Sequence, residues 1–204
     1  RDWVWLPVLA ALMVGYIFAI RYLCIAFGLP VPPDPQAPLD MLVTFLRLFV
    51  MEIGMVAITI GWYGFFLPFM HRVTNSHLLS GLATGLGIAV FVAPGNLFSS
   101  FELATAWPLY AGQLCVLSVG MSYLLSRMKG NVLFFLIPFW VSASGSAMQL
   151  YHFTAQTQVV QISLFALLVV VLVAVLKLQA KGGALDEPHT FPEYVENAYT
   201  VRKG

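Results

Sequence analysis

The sequence predicts an all-α membrane protein, a bundle of about six transmembrane helices with both termini on the cytoplasmic side. Three observations predict it. Of the 204 residues, 60% are hydrophobic and only 9% are charged, against about 25% charged in a soluble domain; mean hydropathy is +0.86. Six apolar runs approach or exceed the roughly 20 residues that a helix needs to cross a bilayer. Lys and Arg cluster in alternate connections, as cytoplasmic loops require. The net charge of +1, with no basic run and no aromatic-basic patch, argues against a nucleic-acid partner.

Span one covers Trp5 to Gly28, with Arg1 before it. The outer loop that follows, LPVPPDPQAPLD, holds five prolines, which fix φ and favour extended backbone. Span two, Leu39 to Phe69, is long enough to tilt or protrude. An inner loop comes next with His71, Arg72 and His77, where Thr74, Asn75 and Ser76 read as caps for span three. Span three runs from Leu78 to Leu97. Gly81 and Gly85 permit close helix packing, and Ala93-Pro94-Gly95-Asn96 predicts a break near the outer end, because Pro removes a hydrogen bond. Span four is Pro108 to Ser126, followed by Arg127 and Lys129. Span five is Val132 to Tyr151, with Ser142, Ser144, Gly145 and Ser146 suited to tight packing. Span six is Val159 to Leu178. Residues 1–181 form the transmembrane domain and residues 182–204 a polar cytoplasmic tail, opened by Gly182 and Gly183. Within the tail, PEYVENAY suits a short amphipathic helix on the membrane or on a partner.

Three charges interrupt the apolar runs: Arg21, Arg47 and Glu52. An ionised side chain in hydrocarbon is costly, so such residues face a partner or a cavity. Arg47 and Glu52 are separated by roughly 500° of helix rotation and point to different faces. Glu52 is therefore expected to meet Arg21 or a group on another chain. One reading is a proton or ion path; the other is a buried ion pair, or an Arg that reaches lipid phosphate. Two Arg with one Glu make no relay, which favours the structural reading. Gln149 and His152 share a face at the outer boundary, where His152 is a metal ligand or proton carrier on one reading and a structural residue on the other. Glu102 is the other acid near the spans and, with Gln149, a possible polar site. His71 and His77 come together only in a special turn. Cys24 and Cys115 read as small core residues. The sequence has no glycine-rich phosphate loop, no paired nucleophile and base, and no di-iron box.

Several of these residues, in order, resemble the C-type membrane component of the copper-dependent membrane monooxygenases, which oxidise methane, ammonia or short hydrocarbons. In the first span and loop they are Trp5-Leu6, Arg21 with the aromatic after it, Gly28, Asp34 and Ala37-Pro38. Glu52 and Gly61-Trp62-Tyr63-Gly64 are similar to that family's second-span element. Gly95 to Trp107, with Phe98, Glu102 and Thr105, is similar to the stretch before its metal segment. Pro138-Phe139, Gly145, His152 and Phe153 follow its next-to-last helix, and Pro192-Glu193-Tyr194-Val195 its C-terminus.

The chain departs from the family at the copper ligands. The family's Asp and two His around the middle helices have no counterpart here, since Trp107 leads directly into Pro108-Leu109-Tyr110. At the second family site His152 keeps one position, Met148 replaces an Asn, and no later span residue is His. The resemblance thus implies a scaffold-like component of a multi-subunit complex in a bacterial inner or intracytoplasmic membrane. Its partners would be companion membrane subunits, a periplasmic copper-binding subunit and bound phospholipid. Copper would be a cofactor of the complex and not fully liganded by this chain. Two other readings stay open: a small transporter or channel using Arg21, Arg47, Glu52 and the Pro94 break, and an isoprenoid- or lipid-modifying enzyme using Glu52 or Glu102.

Overall fold

A computed structural model describes residues 5–33, 37–51, 57, 59–98, 107–127, 150–152, 154–180, 185 and 188. Among them every regular element is helical. The order is α1 (Trp5–Ala26), α2 (Pro38–Met51), a π-helical segment (Ile60–Phe66), α3 (Leu67–Thr74) continuing from it, α4 (His77–Phe98), α5 (Trp107–Arg127) and α6 (Ala155–Gln179). Among the described residues, three helices are long and apolar enough to cross a membrane, over His77–Pro94, Trp107–Ser126 and Ala155–Gln179. α1 adds a shorter apolar stretch, Ala10–Ala26.

Local chemistry sets the helix ends. α1 stops at Gly28, whose φ of 67° only glycine adopts without penalty. The Gly28 N–H bonds to Ile25 O and the Leu29 N–H to Cys24 O, which satisfies the last carbonyls of the helix. α3 stops at Asn75, also left-handed at φ 53°, whose N–H bonds to His71 O at 2.7 Å. Ser76 then opens α4 by accepting the Leu79 N–H on its hydroxyl. So Asn75 closes the helix before the turn, and only Ser76 caps the helix after it. Thr154 caps α6 through the Thr157 N–H.

Close glycine contacts fix how the helices run. A Cβ on Gly81 would lie 2.5 Å from Val119 Cα, and one on Gly85 would strike the Cys115 backbone. The expected small-residue packing therefore holds, and the rising numbers on α4 against falling ones on α5 make the pair antiparallel. Between α5 and α6, Gly112 faces Ile162 and Gly120 faces Val169, so these two are parallel. α1 runs against α6: Tyr16 stacks edge-on with Phe165, and Cys24 meets Thr157. The π segment and α3 run against α4, with Trp62 beside Gly87 and Phe91 and His71 beside His77.

Two apolar clusters result. One gathers Tyr63, Leu67, Ile88, Leu114 and Leu125 between the π segment, α3, α4 and α5. The other gathers Tyr16, Ile17, Ile20, Cys24 and Tyr151, with Leu164 and Phe165 of α6 against it. In lipid such packing stabilises through close van der Waals contact, since tails are as apolar as the side chains.

Three expected boundaries are corrected. The helix does not break at Pro94, because α4 continues to Phe98. Pro94 lies near the helix end, where it removes a single backbone donor and few turns remain to disrupt. α6 begins at Ala155, ahead of the apolar run, because the Thr154 cap extends the helix through polar Gln156 and Gln158. Leu150 and Tyr151 lie in bends and not in a helix. The rest of span five, with Gln149, and also Glu52, Glu102 and the region around Asp34 lie outside the described residues.

Candidate functional site

Polar chemistry collects at two opposite ends of the bundle. At one end Arg21 is 4% exposed. Its Nη1 donates to Leu150 O at 2.9 Å and to Pro32 O at 3.2 Å. One planar cation thus pins the proline-rich loop and the turn before α6 onto α1. Below it lies a network on α1, α5 and α6. The Tyr16 hydroxyl donates to Gln161 O, the Gln161 amide donates to the Tyr151 hydroxyl at 2.7 Å, and Gln158 bonds to Gln113. Thr154 and Thr157 hydroxyls meet at 3.1 Å. Gln161 is 1% exposed, and its Oε1 has no hydrogen-bond donor.

The sequence carries a signal for this network: Thr154, Thr157, Gln158 and Gln161 recur at helical spacing. An apolar-run criterion places them in a loop and at the start of a span, and so misses them. His152, the residue matching a copper ligand by resemblance, stands exposed in this turn, and its carbonyl accepts the Thr154 N–H. Among the described residues no three His, Cys, Asp or Glu come together. Among the described residues, His152 has no second His, Cys, Asp or Glu gathered with it into a three-ligand set.

At the other end the short α3–α4 turn is the special turn that the two histidines require. It brings His71 and His77 together, ring centroids 4.4 Å apart at 47°. The left-handed Asn75 produces this geometry, helped by the Thr74 hydroxyl, which bonds to Met70 O and Ser76 O. His71 is 6% exposed. His77 Nδ1 lies 3.0 Å from Ser122 Oγ, which lies 3.2 Å from Ser80 Oγ, and Ser80 returns to His77 O. The Tyr123 ring packs on His77 at 4.8 Å. The buried nitrogens His71 Nδ1 and His77 Nε2 make no hydrogen bond, although both side chains have contacts elsewhere.

The Ser122–His77 contact has the composition of a nucleophile and base. Ser122, however, is fully buried and shared with Ser80, so it is placed for packing and not for meeting a substrate. A polar stripe that hydropathy alone does not reveal supports this end: Ser118, Ser122 and Ser126 on α5 and Ser80 and Thr84 on α4 are all buried. Thr84 satisfies itself on Ser80 O at 2.8 Å.

Arg47 departs from expectation. In place of a buried charge it is an exposed one, and α2 has no buried residue at all. Asp40, Thr44 and Arg47 recur at i, i+4 and i+7, so Arg47 belongs to a polar edge of α2. Leu39, Leu42, Val43, Leu46 and Val50 are exposed with it.

Comparison of the chain with protein-family models, with curated proteins and with solved structures gives no match.

Proposed function

We propose that this chain is an integral membrane component of a multi-subunit complex, similar in role to the C-type membrane component of the copper-dependent membrane monooxygenases. It acts as a scaffold for companion subunits and lipid, and the positions matching that family's copper sites do not supply a full ligand set.

One observation carries the reading. Arg47 stands exposed on a helix without a buried residue, about 13 Å from the helix start at 1.5 Å per residue. A guanidinium surrounded by Leu and Val at that depth in hydrocarbon is costly. A carboxylate or carbonyl on a neighbouring protein offsets that cost and covers a helix that, beyond the half-buried Met41 contact with the α1–α6 cluster, has no buried residue. The helix directions support six crossings: α1 and α4 run one way and α5 and α6 the other. With Arg72 and Lys177 at the same end, that end is cytoplasmic.

The test is co-purification from native membranes. Wild-type chain is expected to bring stoichiometric membrane partners, and Arg47→Leu to lose them while the chain itself still folds. Unchanged complex yield for Arg47→Leu overturns the reading. Release of phospholipid and no protein identifies a lipid phosphate as the Arg47 partner and also overturns it.

A further inference from the structure

We propose that His71 and His77 together bind one divalent first-row transition-metal ion at the α3–α4 turn. This goes beyond the scaffold reading and does not depend on it.

The placement is the first argument. Two imidazoles on successive helices stand 4.4 Å apart at 47°, close enough for one nitrogen of each to bind a common ion at the usual length of about 2.1 Å. Preorganisation is the second. The turn between them has only two residues, Asn75 and Ser76, and three separate bonds hold it: Asn75 N–H to His71 O, Thr74 hydroxyl to Met70 O, and Leu79 N–H to Ser76 Oγ. The rings therefore need no rearrangement of the backbone to meet an ion.

The surroundings are the third argument. A histidine that binds metal through one ring nitrogen is oriented by a hydrogen bond at the other, and that bond also fixes its tautomer. His77 has this arrangement, since Ser122 holds Nδ1 at 3.0 Å and Ser80 holds Ser122. The same network makes Nε2 the nitrogen that His77 would offer.

The donor set selects the ion class. Two neutral imidazoles, with no third His, Cys, Asp or Glu gathered among the described residues, suit zinc, nickel or cupric ions and not calcium or magnesium. The remaining positions would fall to water or an exogenous ligand. Bound there, the ion clips α3 to α4.

The test uses full-length, tag-free protein in detergent, stripped with chelator and dialysed against Zn²⁺, with bound zinc counted per chain by elemental analysis. One zinc per chain is expected, together with a rise in unfolding temperature. His71→Gln and His77→Gln should each weaken binding at least tenfold and abolish the temperature rise. Ser122→Ala, which leaves both ligands in place, should weaken it about tenfold, as loss of an outer hydrogen bond to a metal ligand does. His152→Gln and His189→Gln should bind as wild type. Absence of stoichiometric zinc in the wild type overturns the proposal. So does undiminished binding in the His71→Gln/His77→Gln double variant, or equal loss in the His152→Gln control. Should either His variant fail to fold, the Ser122→Ala arm decides alone: unchanged affinity there overturns the site.

Discussion

The Tyr63 hydroxyl lies 3.0 Å from Ser118 Oγ, and Tyr63 is fully buried. This bond ties the π-helical segment to the middle of α5. A π turn widens the helix and shifts the faces that follow it, and here it carries Gly61, Trp62, Tyr63 and Gly64. Tyr63 anchors that irregular turn to the regular helix beside it. Tyr63→Phe should lower stability by about 1 kcal/mol, the usual net value of one buried hydrogen bond. Ser118→Ala should cost a similar amount, and the double variant less than the sum. Reversible unfolding in mixed micelles measures all three.

A larger loss is expected at Gly85. Its missing side chain is what lets the Cys115 backbone approach. Gly85→Leu forces α4 and α5 apart and should cost about 3 kcal/mol, at the upper end for overpacking. Gly112→Ala is the control, because its new Cβ would meet only Ile162 Cδ1 at 3.8 Å, an ordinary contact. It should be neutral or slightly stabilising in the same unfolding assay.

Arg21 bonds two carbonyls that belong to different segments, Pro32 and Leu150. Removing it leaves both without that donor, and Arg21→Leu should cost about 2–3 kcal/mol. Arg21→Lys should recover little, since an ammonium does not reproduce the planar fork. Limited proteolysis of the outer loop reports the effect directly: faster cleavage is expected for both variants.

Asn75 sits at φ 53°, a region that costs a β-branched residue about 1–2 kcal/mol. Asn75→Gly should be neutral and Asn75→Val destabilising by that amount. The Val variant should also separate His71 from His77 and weaken zinc binding, which equilibrium dialysis reads independently of stability.

Arg47→Leu should leave the isolated chain unchanged within about 0.5 kcal/mol, as exposed substitutions do. Yield of the assembled complex should fall. Size-exclusion chromatography of native-membrane extracts separates the two readouts.

Much of the architecture is legible in the residues themselves. In the run Val159 to Leu178 only Gln161, Ser163 and Lys177 are polar, which makes it apolar and long enough to cross a membrane. Gly81 and Gly85 announce a close approach, since two small residues four apart open one groove on one face. The site chemistry is less legible. The family resemblance points to His152, yet the side chain is exposed in a turn. The charge pattern groups Arg47 with Arg21, yet one faces out of the chain and the other lies within it. Position in an apolar run does not say whether the rest of the chain covers the charge.

Composition and span length by themselves determined that the chain forms helices apolar and long enough to cross a membrane, because a bilayer penalises every unpaired backbone group and leaves few alternatives. Only the tertiary structure decided which polar residues meet. Gln161 with Tyr151, Tyr63 with Ser118, and His71 with His77 depend on helix direction, on rotation about each axis, and on one left-handed residue at Asn75. Those quantities arise from packing between segments, and a reading along the chain does not contain them.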